Sequence, residues 1–272
     1  MTPGVFSSDC WGRLNDVADI SPVLTILDDL PEGFRQARQT MIAHLGLRPT
    51  SRVLEAGSGP GTALPDLAKW ISEEGRIVGI DPTSALVAQA RERARAAGIA
   101  YVTYDVGDIR QIQQPDASFD AAFCDKILVH VSPVPQAIGE LARVTRGGGR
   151  VGAVEWYSQG MVVAAADYAL TRGVFDGSAP VAAQNPMAPL ELEASFAQAG
   201  LTVMHSGTIV AESRQYMPSL KMMLQRRVQQ AADQNSLAPD AGAAWLADLD
   251  ARGARGEFYW AALVRWVVGT KA

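Results

Sequence analysis

The sequence predicts a single α/β domain with a mostly parallel sheet and helices on both faces. Short apolar segments alternate with helical segments between residues 52 and 155, which is typical of βαβ units. Hydrophobic residues make up 48% of the 272-residue chain and charged residues 19%, the balance of a folded globular protein. A prior of roughly 150 residues per domain also suits two domains, but single cores of roughly 250 residues are common.

The first half of the chain carries the regular alternation. A helix is predicted first, at Pro31–His44, because its apolar residues fall near one face. The predicted strands that follow are Arg52–Ala56, Arg76–Ile80, Ile99–Tyr104, Phe119–Cys124 and Arg150–Glu155. The predicted helices between them are Gly61–Ser72, Ser84–Ala97 and Pro135–Thr145. Gly98 supplies a C-terminal stop for the second of these helices.

The regular alternation of strands and helices ends after Glu155, where longer helical segments separate the predicted strands. The predicted helices are Met161–Thr171, Leu190–Ala199, Arg214–Gln234 and Ala241–Arg252, with a loop at Phe175–Pro189 and strands at Leu201–Val210 and Glu257–Val268. We therefore divide the single domain 1–272 into an N-terminal helical segment, a binding core, two insertions that cap the site, and the remaining strands and helix of the sheet. The N-terminal helical segment is residues 1–45, and the binding core is residues 46–158. The two insertions are residues 159–189 and 211–256. The remaining strands and helix of the sheet are residues 190–210 and 257–272.

Composition excludes several classes of protein. A net charge of −5 argues against a nucleic-acid-binding surface, which usually needs a basic face. Cys10 and Cys124 are the only cysteines, so neither a disulfide framework nor zinc-ligand spacing is present, and we expect no metal. No segment approaches the ~18 apolar residues of a membrane span, and the N-terminus lacks a secretory signal. A cytoplasmic protein is predicted, and nothing in the sequence indicates its oligomeric state.

A glycine-rich loop directly follows the first predicted strand. The strand ends at Glu55 and leads into Gly57, Gly59 and Gly61, and glycine lets a backbone turn tightly while a ligand approaches it. The loop is not a dinucleotide fingerprint, because Thr62 stands where the third glycine of G-x-G-x-x-G belongs. An acid at position 55 would repel a pyrophosphate and favours a ligand that carries a cation. An NAD-dependent oxidoreductase is disfavoured for both reasons.

Three further strands each lead to a carboxylate. Asp81 ends the second strand and suits ribose hydroxyls, since a carboxylate accepts two hydrogen bonds. Asp108 follows the third strand, where it can accept from an adenine amine while Ile109 packs on the ring. Asp125 follows the fourth strand, and the carboxyl ends of parallel strands share one edge of the sheet. The four acids predict a site for an adenosine with a charged tail and no phosphate, which is S-adenosylmethionine.

On these residues the chain resembles the class I S-adenosylmethionine (SAM)-dependent methyltransferases, in particular the type 11 enzymes similar to ubiquinone/menaquinone C-methyltransferases. The segments that carry the resemblance are VLEAGSGPG (53–61), GIDPT (79–83), GDI (107–109), SFDAAFCDKILVHV (118–131) and ELARVTRGGGRV (140–151). The resemblance covers about residues 33–158, and residues 256–272 look like the last strand of this family. It implies a Rossmann-like sheet of seven strands, the last of them antiparallel.

The resemblance also implies a set of cofactor-binding residues: Glu55, Gly57, Ser58, Gly59, Gly61, Asp81, Pro82, Asp108, Ile109, Cys124 and Asp125. The glycine loop would cradle the methionine moiety, and Glu55 beneath it would organise the loop or the ammonium group. Asp81 would hold the ribose, Asp108 and Ile109 the adenine. Cys124 or Asp125 would approach the methionine end.

His130 is the candidate for acid–base chemistry. It lies six residues past the fourth predicted strand, where a neutral imidazole can deprotonate a hydroxyl or amine nucleophile. The region resembles that of phosphoethanolamine methyltransferases, where a histidine pairs with an N-terminal tyrosine, but no tyrosine precedes Tyr101 here. A packing histidine is the alternative. Candidate residues of an acceptor pocket are Trp11, Glu155, Trp156 and Met217, while Arg226 and Arg227 are interpreted as part of a solvated helix face.

The predicted function is methyl transfer from SAM to O, N or C of a small organic metabolite. A nucleic-acid or protein methyltransferase is less well supported. Such enzymes usually carry an Asn/Asp-Pro-Pro-aromatic turn after the fourth strand, where this chain has Cys124-Asp125-Lys126-Ile127. A protein of this fold that catalyses another reaction, or only binds a ligand, is the second alternative, because a cofactor site can persist while the acceptor site changes.

Overall fold

The computed structural model describes Asn15 and residues 19–272, which form an α/β fold around one mixed sheet. The strands of the described residues are Arg52–Ala56 (β1), Arg76–Asp81 (β2), Val102–Val106 (β3), Phe119–Asp125 (β4), Thr145–Trp156 (β5), Val162–Val163 (β6), Leu201–Ser213 (β7) and Trp260–Lys271 (β8). Their order is β3-β2-β1-β4-β5-β8-β6, and β7 pairs with β8. Strands β1 to β5 run parallel, and β8 is antiparallel to β5, β6 and β7. This confirms the predicted Rossmann-like class with its antiparallel last strand.

Helices surround the sheet. In the part of the chain that the structure describes, the α-helices are Ser21–Asp28 (α1), Glu32–Ala43 (α2), Leu64–Leu67 (α3), Ser84–Ala96 (α4), Val134–Val144 (α5), Tyr168–Ala182 (α6), Leu192–Gln198 (α7), Pro218–Asp233 (α8) and Pro239–Arg255 (α9). None of these described helices is long and apolar enough to cross a membrane.

The central strands are buried on both faces, so consecutive residues join different core clusters. In β4, Phe123 packs in the cluster that contains Phe34 and Met41, while Cys124 packs in the one that contains Leu141. Such two-sided burial is why these strands are continuous apolar runs in the sequence. Side chains inside the strands are therefore packed in the core, and only residues at the strand ends can contact a ligand.

The strand order reverses at β1, which is paired with β2 on one side and with β4 on the other. A crevice opens at the carboxyl edge of an open α/β sheet at such a switch point. This topology places the loop after β1 at the natural ligand-binding position.

Some element predictions are wrong. The described sheet has eight strands and not seven, because the two-residue β6 pairs with β8. That strand lies in the predicted helix 161–171, and the helix begins instead at Tyr168, where the Asp167 side chain accepts a hydrogen bond from the Leu170 N–H at 2.8 Å. In place of the predicted helix 61–72, only Leu64–Leu67 is α-helical.

The predicted loop 175–189 is helical as far as Ala182, despite Gly177 and Pro180. Packing explains the difference: a Cβ at Gly177 would lie 2.7 Å from the Ser236 Cβ and 3.1 Å from the Ala231 Cβ. Glycine is present here because α6 approaches the end of α8 closely, and the tertiary contact overrides the local tendency to end a helix.

We predict that Trp245→Ala destabilises the fold by about 3–5 kcal/mol, because a large buried aromatic leaves a cavity. Trp245 is 2% exposed, packs edge-on against Phe175 at 6.1 Å between centroids, and donates to the Thr171 Oγ1 at 2.9 Å. Denaturant unfolding measures the loss. Tyr168→Ala on α6 is the control, since Tyr168 is 79% exposed and should change the free energy of unfolding by under ~0.5 kcal/mol. Equal effects of the two substitutions would contradict the prediction.

Candidate active site

A cavity of about 360 Å³ lies at the carboxyl edge of the sheet. Its wall combines the ends of the first four strands with residues of α1, α2 and α8. The predicted site residues that line it are Glu55, Gly57, Ser58, Gly59, Asp81, Pro82, Asp108, Ile109, Asp125, His130 and Trp156. Residues from four separate strand ends therefore meet around one space, as the sequence pattern predicted.

The glycine loop is held against β2 by backbone hydrogen bonds. The N–H groups of Gly57 and Ser58 donate to the Ile80 carbonyl at 2.7 and 2.9 Å. Gly57 has φ of +78°, and a Cβ there would lie 2.3 Å from the Ile127 Cδ1. Both the backbone conformation and the neighbouring side chain require glycine at this position. The loop can thus pass close to a ligand without a side chain in the way.

Asp81 connects the loop to the end of β2. Its Oδ2 accepts from the Gly59 N–H at 3.0 Å, and its Oδ1 accepts from the Thr83 N–H at 2.8 Å. Burial raises the pKa of this carboxyl above its ordinary value. Each oxygen retains a lone pair for a hydroxyl donor. Asp81 therefore stabilises the loop, and its contact with the ribose stays a prediction from the sequence.

A buried ion-pair cluster lies beneath the loop, and sequence reasoning missed its central member, Arg38. The Arg38 Nε and Nη2 donate to the Asp66 Oδ2 at 3.0 and 2.9 Å, and Nη1 donates to the Asp125 Oδ2 at 3.3 Å. Lys126 pairs with the same Asp125 oxygen at 2.7 Å. Arg38 lies in an apolar stripe with Phe34 and Met41, at helical spacing. A charged residue within an apolar stripe indicates a buried partner of opposite charge.

Carboxylate oxygens in this cluster outnumber their partners. Glu55 Oε2, Asp125 Oδ1 and Glu155 Oε2 are buried and have no hydrogen-bond partner among the described residues. Burial raises the pKa of Glu55 and of Glu155 to about 8. Glu55 and Asp125 line the cavity, so a cation bound there would meet buried acceptors that the protein itself leaves unsatisfied. These oxygens and the glycine cradle fit the ammonium and sulfonium groups of SAM.

The residues predicted to bind adenine differ from the sequence expectation in one respect, which is an ion pair made by Asp108. Asp108 is paired with Arg110, whose Nη2 lies 2.6 Å from the Asp108 Oδ2, and this hydrogen bond lowers the pKa of the carboxyl. Arg110 also lines the cavity and was not singled out from the sequence. Ile109 is buried and presents an apolar surface to the same space. Ile109 thus offers an apolar surface for the predicted adenine contact, while Asp108 shares its oxygens with an arginine.

His130 lies on a short 3-10 turn, Leu128–His130, and faces the cavity. Burial and then the nearby charge of Arg226 lower the pKa of His130 to about 4, so the imidazole is neutral at pH 7. The turn is fixed from outside: the Asn185 amide donates to the carbonyls of Leu128 and Val131. The connection between α6 and α7 thus positions the histidine.

Other predicted residues lie elsewhere. Among the described residues, Gly61, Cys124, Glu155 and Met217 are not part of the cavity wall. Glu155 instead accepts from the Leu128 N–H at 2.5 Å, Cys124 is a core thiol whose pKa burial raises, and Gly61 packs under the Tyr104 hydroxyl. Met217 precedes α8, where its sulfur accepts from the Ser213 hydroxyl. Trp11 and Cys10 lie outside the described residues.

The interpretation of Arg226 and Arg227 as a solvated face is wrong. Both line the cavity, and Arg227 is only 5% exposed. The error arises because α8 packs against α6, where Arg227 donates to the Ser178 Oγ and is covered. Within the described residues, no group of three or more His, Cys, Asp or Glu is arranged to hold a metal ion.

Comparisons with known proteins agree with this geometry. Residues 53–149 match the family described as a methyltransferase domain. A phosphatidylethanolamine N-methyltransferase of Cereibacter sphaeroides is 32% identical over 170 residues, 56% of this chain and 81% of that protein. A demethylmenaquinone methyltransferase of Beutenbergia cavernae is 35% identical over 120 residues, 44% of this chain and 46% of that protein.

Coverage of other curated relatives is lower, since the chain spans only 34% to 43% of the length of three of them. Among solved structures, the [4+2]-cyclase SpnF superposes with a TM-score of 0.57 at 19% identity, covering 97% of both chains, which shows the fold alone. The family match, and the relative of which the chain covers 81%, show the family as well as the fold. The chain belongs to the class I S-adenosylmethionine-dependent methyltransferases.

Proposed function

We propose that this protein transfers the methyl group of SAM to a small organic molecule. One observation carries the proposal: a glycine cradle and two unsatisfied buried carboxylates, Glu55 and Asp125, share one cavity wall. An adenosyl sulfonium with an ammonium group fits that chemistry, whereas a pyrophosphate does not. The names of the relatives support a small acceptor, since one is a phospholipid N-methyltransferase and one a quinone methyltransferase.

The protein's own residues hold and align the reactants. The sulfonium supplies an activated methyl group, so the remaining tasks are orientation and the exclusion of water. We assign Glu55, Gly57, Ser58, Gly59 and Asp125 to the methionine moiety. Asp81 with Pro82 is assigned to the ribose, and Ile109 with Asp108 to the adenine.

The acceptor side of the same cavity contains four large apolar residues, Phe34, Trp156, Leu220 and Met223. Phe34 and Trp156 pack edge-on, 5.7 Å between centroids, and form a rigid apolar surface. Where the acceptor atom is oxygen or nitrogen, the neutral His130 is the group that takes its proton. A carbon acceptor is equally compatible with the cavity. Cytoplasmic action without a nucleic-acid partner is part of the same proposal.

The direct test is product formation. Purified protein is incubated with methyl-labelled SAM and a panel of phenols, quinones, amines and fatty acids, and S-adenosylhomocysteine (SAH) and labelled products are followed by mass spectrometry. We expect SAH to form together with one methylated product. A folded protein that binds neither SAM nor SAH would overturn the proposal, and binding without turnover of any acceptor would leave only the cofactor assignment standing.

We predict that Gly57→Ala weakens SAH binding at least tenfold, because the new Cβ would clash with Ile127 and both residues line the cavity. Gly98→Ala is a matched control: Gly98 also has positive φ, +68°, but a Cβ there meets nothing within 4 Å. Both substitutions carry a similar backbone strain of about 1–2 kcal/mol. Titration calorimetry measures the affinities and thermal unfolding measures the strain. Equal affinities of the two variants would show that the loop does not hold the cofactor.

We predict that SAM binding at pH 7 releases close to one proton, because Glu55 with a pKa of about 8 is mostly protonated in the free protein. A bound cation favours the ionised form, so affinity should rise as pH increases towards 8. Calorimetry at pH 7 in phosphate and in Tris, which differ in ionisation enthalpy, measures the release. Glu55→Gln should abolish it. Glu155→Gln should not, since Glu155 has a similar pKa but lies outside the cavity wall. A binding heat that is independent of the buffer would refute this role of Glu55.

A further inference from the structure

One face of α8 forms part of the cavity wall, which also contains the acidic strand ends. Leu220, Met223, Arg226, Arg227 and Gln230 line the cavity at helical spacing. The carboxylates of the described cavity wall are Glu55, Asp81, Asp108 and Asp125. The first, second and fourth lie at the carboxyl ends of β1, β2 and β4, and Asp108 follows β3. At the strand ends, Arg110 and Lys126 pair with two of these carboxylates, Asp108 and Asp125, whereas Arg226 and Arg227 of the wall belong to α8.

Arg227 is the buried member of this arginine pair. It is 5% exposed, and within the described part of the chain its guanidinium forms no ion pair with a carboxylate. Its Nη1 donates to the Ser178 Oγ and its Nη2 donates to the Ser158 carbonyl, both at 3.3 Å. These are long hydrogen bonds to neutral oxygens. A buried guanidinium held in this way is desolvated without being neutralised, which is costly.

The neighbouring charge increases that cost. Burial and then Arg226 lower the pKa of Arg227 to about 10, in the direction expected for two cations in a poorly solvated place. Arg226 also lowers the pKa of His130, so the two arginines and the candidate proton acceptor are electrostatically coupled. An anion at this position would satisfy Arg227 and offset the charge of Arg226, which adds to burial in lowering the pKa of His130.

SAM has no phosphate, and its one carboxylate belongs to the methionine moiety, which we assign to the glycine loop and not to α8. The apolar residues that line the same cavity, Phe34, Trp156, Leu220 and Met223, favour a ligand whose remaining part is apolar. We propose that Arg227, with Arg226 beside it, binds a carboxylate or phosphate group on an acceptor that is otherwise apolar. This inference rests on the proposed methyl-transfer function and names the chemical class of its acceptor.

The test uses ligands of equal chain length and different charge on the protein saturated with SAH. Decanoate, decyl phosphate, decanol and decylamine are titrated into wild type, Arg227→Met, Arg227→Lys and Ser178→Ala, and SAH affinity is measured separately for each protein. We expect decanoate or decyl phosphate to bind at least tenfold more tightly than decanol and decylamine, because charge-assisted hydrogen bonds contribute most. Which of the two anions binds better distinguishes a carboxylate from a phosphate acceptor.

The variants separate a binding role from a structural one. Arg227→Met should abolish the preference for the anion while SAH affinity changes less than threefold, and Arg227→Lys should keep part of it. Ser178→Ala removes a hydrogen bond to Arg227 but not its charge, so it should keep the preference. No preference in wild type, or a preference that survives Arg227→Met, overturns the inference. Loss of SAH affinity in Arg227→Met also overturns it, because the arginine would then serve the methionine carboxylate. Failure of the wild type to bind SAH would instead overturn the proposed function.

Discussion

Arg38 extends from α2 to the end of β4 and pairs with Asp125 and Asp66 beneath the glycine loop. Removal of one partner of such a buried pair would leave an uncompensated charge, which typically costs about 3–5 kcal/mol. The pair does more than join two elements, because Asp125 also binds Lys126 and stands in the cavity wall. The position of Arg38 therefore determines how much negative charge the cavity presents. Arg38 and Lys126 neutralise part of this charge. One oxygen each of Glu55 and Asp125 still has no hydrogen-bond partner among the described residues.

The sheet supplies the second constraint. Since β1 and β4 are buried on both faces, their interior side chains cannot reach a ligand, and every strand must end before a binding residue can be exposed. Glu55, Asp81 and Asp125 sit at these ends and are themselves nearly buried. Their carboxylates are thus held by rigid strands in a place of low polarity. A preorganised charge in such surroundings interacts more strongly with a ligand than a mobile surface charge does.

The sequence allowed the strand-end half of the site to be predicted, because each acid directly follows an apolar run and the carboxyl ends of parallel strands converge. The part of the cavity wall that α8 contributes could not be predicted in this way. Arg227 depends on Ser178 and Ser158, which are 49 and 69 positions away, and Asn185 reaches back to Leu128. Contacts at such separations are set by how helices pack and leave no local pattern. The helix through Gly177 and Pro180 was missed for the same reason. Its glycine allows close packing against a neighbouring helix and does not mark a turn.

The placement of charged groups in the cavity has a consequence for turnover under the proposed function. Methyl transfer converts the cationic sulfonium into a neutral thioether, so the buried carboxylates of Glu55 and Asp125 lose part of the charge that stabilises them. A carboxyl with a free-state pKa of about 8 then regains its tendency to bind a proton, which weakens its attraction for the product. These carboxylates would therefore favour the donor over its product. The arginines of α8 would hold an anionic acceptor with groups that take no part in binding the cationic sulfonium. A cavity lined by one sign of charge throughout could not separate the two ligands in this manner.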